Sequence, residues 1–313
     1  MSLFKEIVAV DPGSQFLRIF FRNKLVFNEP TQLSFDIQQN KASGMGYTLS
    51  TTPNDRTLSP INYSITDFTA FELLMKLAFK PYFKFYKVHK MFVCLPTEVS
   101  EVEKRSFRDS LEHAGAQEVF MIYQAYCAAQ GMHILHEKKD FILIEWGASK
   151  LDISVFVNGF IVSVGGSIRI GTQKLISLIR DHISRKYQIN LTSKEIEAFF
   201  ASENSLTPTE GLRIGLTTIS VSEIQLILDA YFTLVNLEIQ QALATVDKKD
   251  LEKAIRNGIY YTGGASTYAY LRKQLDFGRE IPYTLSNNPL LDTIQGMNEL
   301  MQDPEARKLL IMT

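Results

Sequence analysis

Residues 7–27, IVAVDPGSQFLRIFFRNKLVF, open with an apolar run that stops at an acid and a glycine and then resumes. A short apolar run bounded by turn residues predicts a buried strand, a tight turn and a partnering strand. Residues 141–162, FILIEWGASKLDISVFVNGFIV, repeat that order. Shifted by 134 positions, Asp11 falls on Glu145, Gly13 on Gly147, Leu17 on Leu151 and Ile19 on Ile153. Each segment then predicts a second turn, at Asn23-Lys24 and at Asn158-Gly159, into a third short strand. A strand at 91–95, Pro96 and a helix follow the first hairpin. A strand at 258–262, Gly263-Gly264 and a helix follow the second. Two copies of hairpin, strand and helix predict an α/β protein of two similar subdomains, with the two glycine turns lining a cleft between them.

Between these landmarks, helical periodicity appears at 67–79, 100–114, 124–135, 171–187, 193–200, 222–244 and 289–302. Ser100 followed by Glu103 predicts a capping box, Thr192 or Ser193 caps the 193–200 helix, and Asn288-Pro289 leads into the last one. VFMI at 119–122 predicts a short strand. Residues 30–66, rich in Ser, Thr, Asn, Gln and Pro, predict a small irregular insertion. The tail from Asp303 is expected to be loosely held. The resulting division places residues 1–29, 67–138 and 286–313 in a first lobe with 30–66 inserted. Residues 139–172 and 245–285 fall in a second lobe, with a helical insertion at 173–244.

Composition narrows the function classes. The chain has 313 residues, 45% of them apolar, and a net charge of −1, without the basic excess of a nucleic-acid binder. Cys94 and Cys127 sit in apolar company and predict buried thiols in a reducing cytoplasm. No stretch reaches the length of a membrane span, and the first residues show no apolar h-region of a signal peptide. His89, His113, His133, His136 and His182 form no metal-binding spacing.

Four segments carry a resemblance: FNEPTQLS (27–34), LPTEVSEVEKRSFRDSLEHAGAQEVFMI (95–122), VNGFIVSVGGSIRIGTQKLISLIRDHISRKYQINLTSKEIE (157–197) and IYYTGGASTYAYLRKQL (259–275). In that order along the chain they resemble the MreB family, the rod-shape actins of bacteria, within the actin, sugar kinase and heat-shock chaperone superfamily. The resemblance implies the actin-like fold: two duplicated ribonuclease H-like subdomains around a nucleotide cleft, each with a small inserted subdomain. It implies head-to-tail self-association into cytoskeletal filaments on the inner membrane, and a part in cell shape or cell-wall synthesis beside other cell-shape proteins. It implies ATP or ADP with Mg²⁺ as the ligand. Two phosphate loops depart from the family pattern. D-x-G-T-x-N-T is here Asp11-Pro12-Gly13-Ser14-Gln15-Phe16-Leu17, and D-I-G-G-G-T-T is Glu145-Trp146-Gly147-Ala148-Ser149-Lys150-Leu151. A weak ATPase is the most these loops suggest. The alternatives are a non-polymerising scaffold with a degenerate nucleotide site, or a small-molecule kinase of the same superfamily.

Individual residues follow from the loops. A glycine turn brings backbone N–H groups to phosphate oxygens, and an acid at the strand end holds hydrated Mg²⁺ beside them. Asp11, Gly13 and Ser14 offer this in the first turn, with Asp11 as the metal anchor, although Asp-Pro-Gly is also an ordinary turn signal. In the second turn Glu145 and Gly147 remain; Lys150 could meet a phosphate or salt-bridge Asp11 or Glu145. The resemblance places Gly263 and Gly264 on the adenosine and α-phosphate side and Glu195 near ribose or base, the alternative for Glu195 being a solvated helix face. It places Glu103 where the family carries a glutamate that orients the attacking water; the alternative is the cap with Ser100 or an ion pair with Lys104 or Arg105. Trp146 is read as cleft-wall packing, the alternative being stacking on a base. In FKPYFKFYKVHK (79–90), Phe85 and Tyr86 fall where the family carries an exposed apolar pair that enters the membrane, beside Lys80, Lys84, Lys87 and Lys90. The alternative there is a helix end running into an edge strand.

Overall fold

The computed structural model describes residues 7–82, 88–165, 170–201, 212–214, 217–268, 271 and 283–312. The chain divides into two compact units, Met1–Leu135 with Leu291–Thr313, and His136–Leu290.

In the first unit a six-stranded sheet runs Lys24–Pro30, Phe16–Phe21, Ile7–Pro12, Val88–Leu95, Ala116–Tyr123, Ile311–Met312. Ile7–Pro12 pairs antiparallel with Phe16–Phe21 and parallel with Val88–Leu95, as a hairpin followed by a crossover must. The second unit repeats this with Phe160–Gly165, Leu151–Val157, Phe141–Trp146, Ile259–Thr262 and Tyr283–Leu285. The repeat holds residue by residue: Val8 faces Phe21 and Ile142 faces Val155, while Asp11 faces Arg18 and Glu145 faces Asp152. Both hairpins thus keep one register without insertion. Both second strands also carry a bulge just before the next turn, between Ile19 and Phe20 and between Val155 and Phe156.

The turns into the third strands hold two successive residues at positive φ, the geometry that matches the twist of paired strands. They are Asn158 (53°) and Gly159 (82°), as predicted, but Arg22 (50°) and Asn23 (60°) in the first unit, one residue before the predicted turn. The inner strands Phe141–Trp146 and Leu151–Val157 are buried throughout, as strands covered on both faces are. The outer Phe160–Gly165 strand alternates, leaving Phe160 and Val162 about half exposed.

Helices cover these sheets and cap themselves locally. Asp67 accepts from the Ala70 N–H to start Phe68–Phe79, and Ser100 with Glu103 forms the predicted capping box on Glu101–His113. Phe71 and Phe107 from these two helices meet edge to face at 5.8 Å in the first unit's core. The predicted 124–135 helix is two, Gln124–Gly131 and Ile134–Glu137, broken where His133 takes φ 59°. Gln124–Gly131 packs against Asp292–Leu300 at backbone distance: a Cβ on Gly296 would lie 1.9 Å from the Cys127 carbonyl oxygen. In the second unit Thr172–Tyr187 and Val221–Ala244 pack Leu175, Ile179, Tyr231 and Val235 against the sheet.

Three expectations change, and one element is new. The last predicted helix, 289–302, is the shorter Asp292–Leu300, because Pro289 and its neighbours turn beside the second unit's glycines. The tail is held: Asp303 accepts from the Glu305 and Ala306 N–H groups to start Pro304–Leu310, and Ile311–Met312 pairs with the edge of Ala116–Tyr123. The irregular 30–66 segment contains a three-stranded sheet, with Leu33–Asp36 between Lys41–Met45 and Asp55–Leu58. A helix not placed from the sequence, Lys248–Asn257, begins at an Asp247 cap.

Candidate functional site

In the first unit the acid at the strand end is nearly sealed, with 3% of Asp11 exposed. Arg18, directly across the hairpin, donates from Nη1 to Asp11 Oδ2 at 3.1 Å. The Cys94 thiol donates to the other oxygen, Oδ1, at 3.3 Å. The Arg18 guanidinium also lies over the Phe16 ring, 5.5 Å from its centroid. The turn itself is pinned by Thr31, whose hydroxyl donates to the Gly13 carbonyl at 2.6 Å and whose N–H donates to the Gln15 carbonyl. Ser14 is half-buried beside it.

In the second unit Glu145 and Asp152 occupy the equivalent cross-strand positions, and both are buried. Two carboxylates directly opposite each other repel. The Lys150 ammonium forms an ion pair with Asp152. The Gly147 N–H donates to the Lys150 carbonyl at 2.8 Å, closing the turn on itself. The Gly147 and Ala148 carbonyls accept from Thr172 and Gln173, the first N–H groups of the Thr172–Tyr187 helix. Those are the donors that a helix N-terminus ordinarily offers to an anion.

Beneath this turn lies Trp146, with none of its surface exposed. Its Nε1 donates to the Ile170 carbonyl at 3.2 Å, and its ring stacks on Tyr231, centroids 6.1 Å apart. Burial pushes the Tyr231 phenol up, against the pull of the hydrogen bond from Trp146. A ring so enclosed is core and can stack on no base. Gly263 takes φ +91°, and a Cβ there would stand 2.4 Å from the Trp146 carbonyl oxygen, so this glycine is required by the chain's own packing. A Cβ on Gly264, in contrast, would meet Leu290 only at 3.7 Å, so packing does not demand that glycine.

The remaining predicted residues do other work. Glu103 Oε2 accepts from the Ser100 N–H at 2.8 Å and from its hydroxyl at 2.7 Å. Burial opposes its charge, but these bonds and one from Ser64 hold the carboxyl below its usual range. Glu195 repeats the arrangement with Thr192, at 2.8 and 2.7 Å, which makes Thr192 the cap of Ser193–Ala201. The Thr192 N–H and hydroxyl hold the Glu195 carboxyl low too. Phe85 and Tyr86 lie outside the described residues. Among the described residues no helix is long and apolar enough to cross a membrane.

The sequence reading missed Arg18, Asp152 and Thr31. The signal was available for the first two: once the hairpin register is fixed, the residue seven places after each strand-end acid must face it. Lys150 pairs with Asp152, a partner the sequence reading did not consider. The turns, each taken by itself, differ as seats for a nucleotide with Mg²⁺. The 263–264 turn keeps a glycine free of packing demands. Asp11 does not offer the open carboxylate that a hydrated Mg²⁺ needs, since it already carries a guanidinium and a thiol.

Comparison with known proteins covers nearly the whole chain. The profile of the MreB/Mbl protein family matches residues 5–309. The cell shape-determining protein Mbl of Bacillus cereus is 24% identical, over 96% of this chain and 97% of that protein. The crystal structure of MreB5 of Spiroplasma citri bound to ADP superimposes with a TM-score of 0.85 at 20% identity, covering 98% of each chain. A MamK double helical filament superimposes with a TM-score of 0.73 at 14% identity, covering 95% of this chain and 99% of that one.

Proposed function

The chain belongs to the MreB/Mbl family, and from that premise we propose that it is a bacterial actin whose subunits join head to tail into cytoskeletal filaments that serve cell shape. The observation that carries this reading is that the family profile spans residues 5–309, and so takes in both units and every insertion. A subunit that presents different surfaces at its two ends builds an open polymer. The MamK relative, which shares the fold, is itself a filament. The setting is the cytoplasmic face of the inner membrane, with Phe85 and Tyr86 as aromatic anchors among lysines. Other cell-shape proteins are the expected company.

ATP or ADP is the ligand that the likeness to ADP-bound MreB5 suggests. Asp11, Gly13, Ser14, Glu145, Gly147, Lys150, Gly263 and Gly264 are the positions that would meet it, with Glu195 beside the base or ribose. Glu103 would orient water only by leaving Ser100, and that bond speaks against an ATPase.

The test is ultracentrifugal pelleting of the purified chain over a concentration series, with electron microscopy of the pellet. Filaments above a critical concentration are expected, and vesicles containing anionic lipid should float them. A chain that stays monomeric at every concentration sinks the filament reading and leaves a non-polymerising scaffold.

A further inference from the structure

The two hairpins solve one electrostatic problem in two ways. Each ends its first strand with a buried acid, Asp11 or Glu145, and register fixes which residue faces it. In the first hairpin that residue is a base, Arg18, and the acid is paired directly. In the second it is another acid, Asp152, and Lys150 supplies the cation from the adjoining turn. In each hairpin, then, a cation of the chain itself stands at the cross-strand pair, Arg18 on Asp11 and Lys150 on Asp152.

We propose that Arg18 and Lys150 replace the metal–phosphate centre, so that this chain folds and assembles without regard to Mg²⁺-bound nucleotide. The part concerning assembly rests on the filament reading; the part concerning folding does not. Three features carry it. The Arg18 and Asp11 side chains are only 13% and 5% exposed, and those of Lys150 and Asp152 only 11% and 9%, so water screens neither pair well. A divalent cation at Asp11 would sit against the guanidinium, and a phosphate at the second turn would compete with Asp152 for the ammonium. Finally, Thr172 and Gln173 spend their N–H groups on the turn's own carbonyls, which removes two backbone donors from an incoming anion.

The experiment compares the full chain in ATP with Mg²⁺ against ATP with EDTA, and a Mg²⁺-only control, by calorimetric melting and by pelleting. The expected result is one melting temperature and one critical concentration in all three conditions. A melting temperature about 5 °C or more higher in Mg²⁺-ATP, the shift a well-saturated ligand gives, overturns the proposal, as does assembly that needs Mg²⁺-ATP. If nothing pellets in any condition, the filament reading fails and the melting comparison still decides this one. Arg18→Gln uncovers the Asp11 carboxylate, so Mg²⁺ should raise the melting temperature of that variant and leave the wild type unmoved. Equal indifference of the variant counts against the role given to Arg18. Should the variant not fold, the wild-type comparison decides alone.

Discussion

Glu223, near the start of the Val221–Ala244 helix, shows how much one side chain can tie together. Lys186 donates to it at 2.8 Å and the Tyr187 hydroxyl at 2.7 Å, and His182 makes a third contact from the same neighbouring helix. The Lys186 bond does most to hold the carboxyl at about 2, with partial burial opposing and His182 and Tyr187 adding. The pKa is depressed in the fold, so the stabilisation is complete above the usual 4.5 and fades as pH falls toward 2. Glu223→Gln should therefore cost ~1 kcal/mol near neutrality, at the upper end for a partly exposed network. The gap from wild type should close in melts run between pH 4.5 and about 2. A gap that stays constant down that range would mean the contacts matter through shape and not charge. Gln225 and Asp229, on the same helix, form a simpler exposed pair at 2.6 Å.

At the scale of elements, the capping boxes make the most direct prediction. Ser100→Ala removes the acceptor of the Glu103 N–H and a donor to its carboxylate, and should cost the Glu101–His113 helix about 1 kcal/mol. The midpoint of urea unfolding reads this, and an unchanged midpoint would return Glu103 to consideration as a free carboxylate. That box was legible in the sequence because its geometry is local. The paired hairpins were legible as well, because apolar runs cut by an acid and a glycine have few other solutions. The Lys248–Asn257 helix was passed over although Asp247 offers a cap and Leu251, Ala254 and Ile255 recur on one face, because it is short and its apolar positions are few. The break at His133 was hidden because a left-handed residue carries no mark in composition. The partner of Asp11 stayed hidden for a different reason. Cross-strand neighbours are set by register, and register is a property of two strands together.

For the whole molecule, the sequence order of elements proved more telling than any single motif. Identity with the relatives named above is 24% or lower, yet the fold superimposes on MreB5 with a TM-score of 0.85. The buried Trp146 has a practical consequence. It is the sole tryptophan of the chain and belongs wholly to the core of the second unit. Its blue-shifted fluorescence is therefore a built-in gauge that watches one half of the molecule, whereas far-ultraviolet circular dichroism watches both. If the emission and the dichroism of one heated sample part company, the halves melt in separate steps; if they coincide, one transition governs the pair.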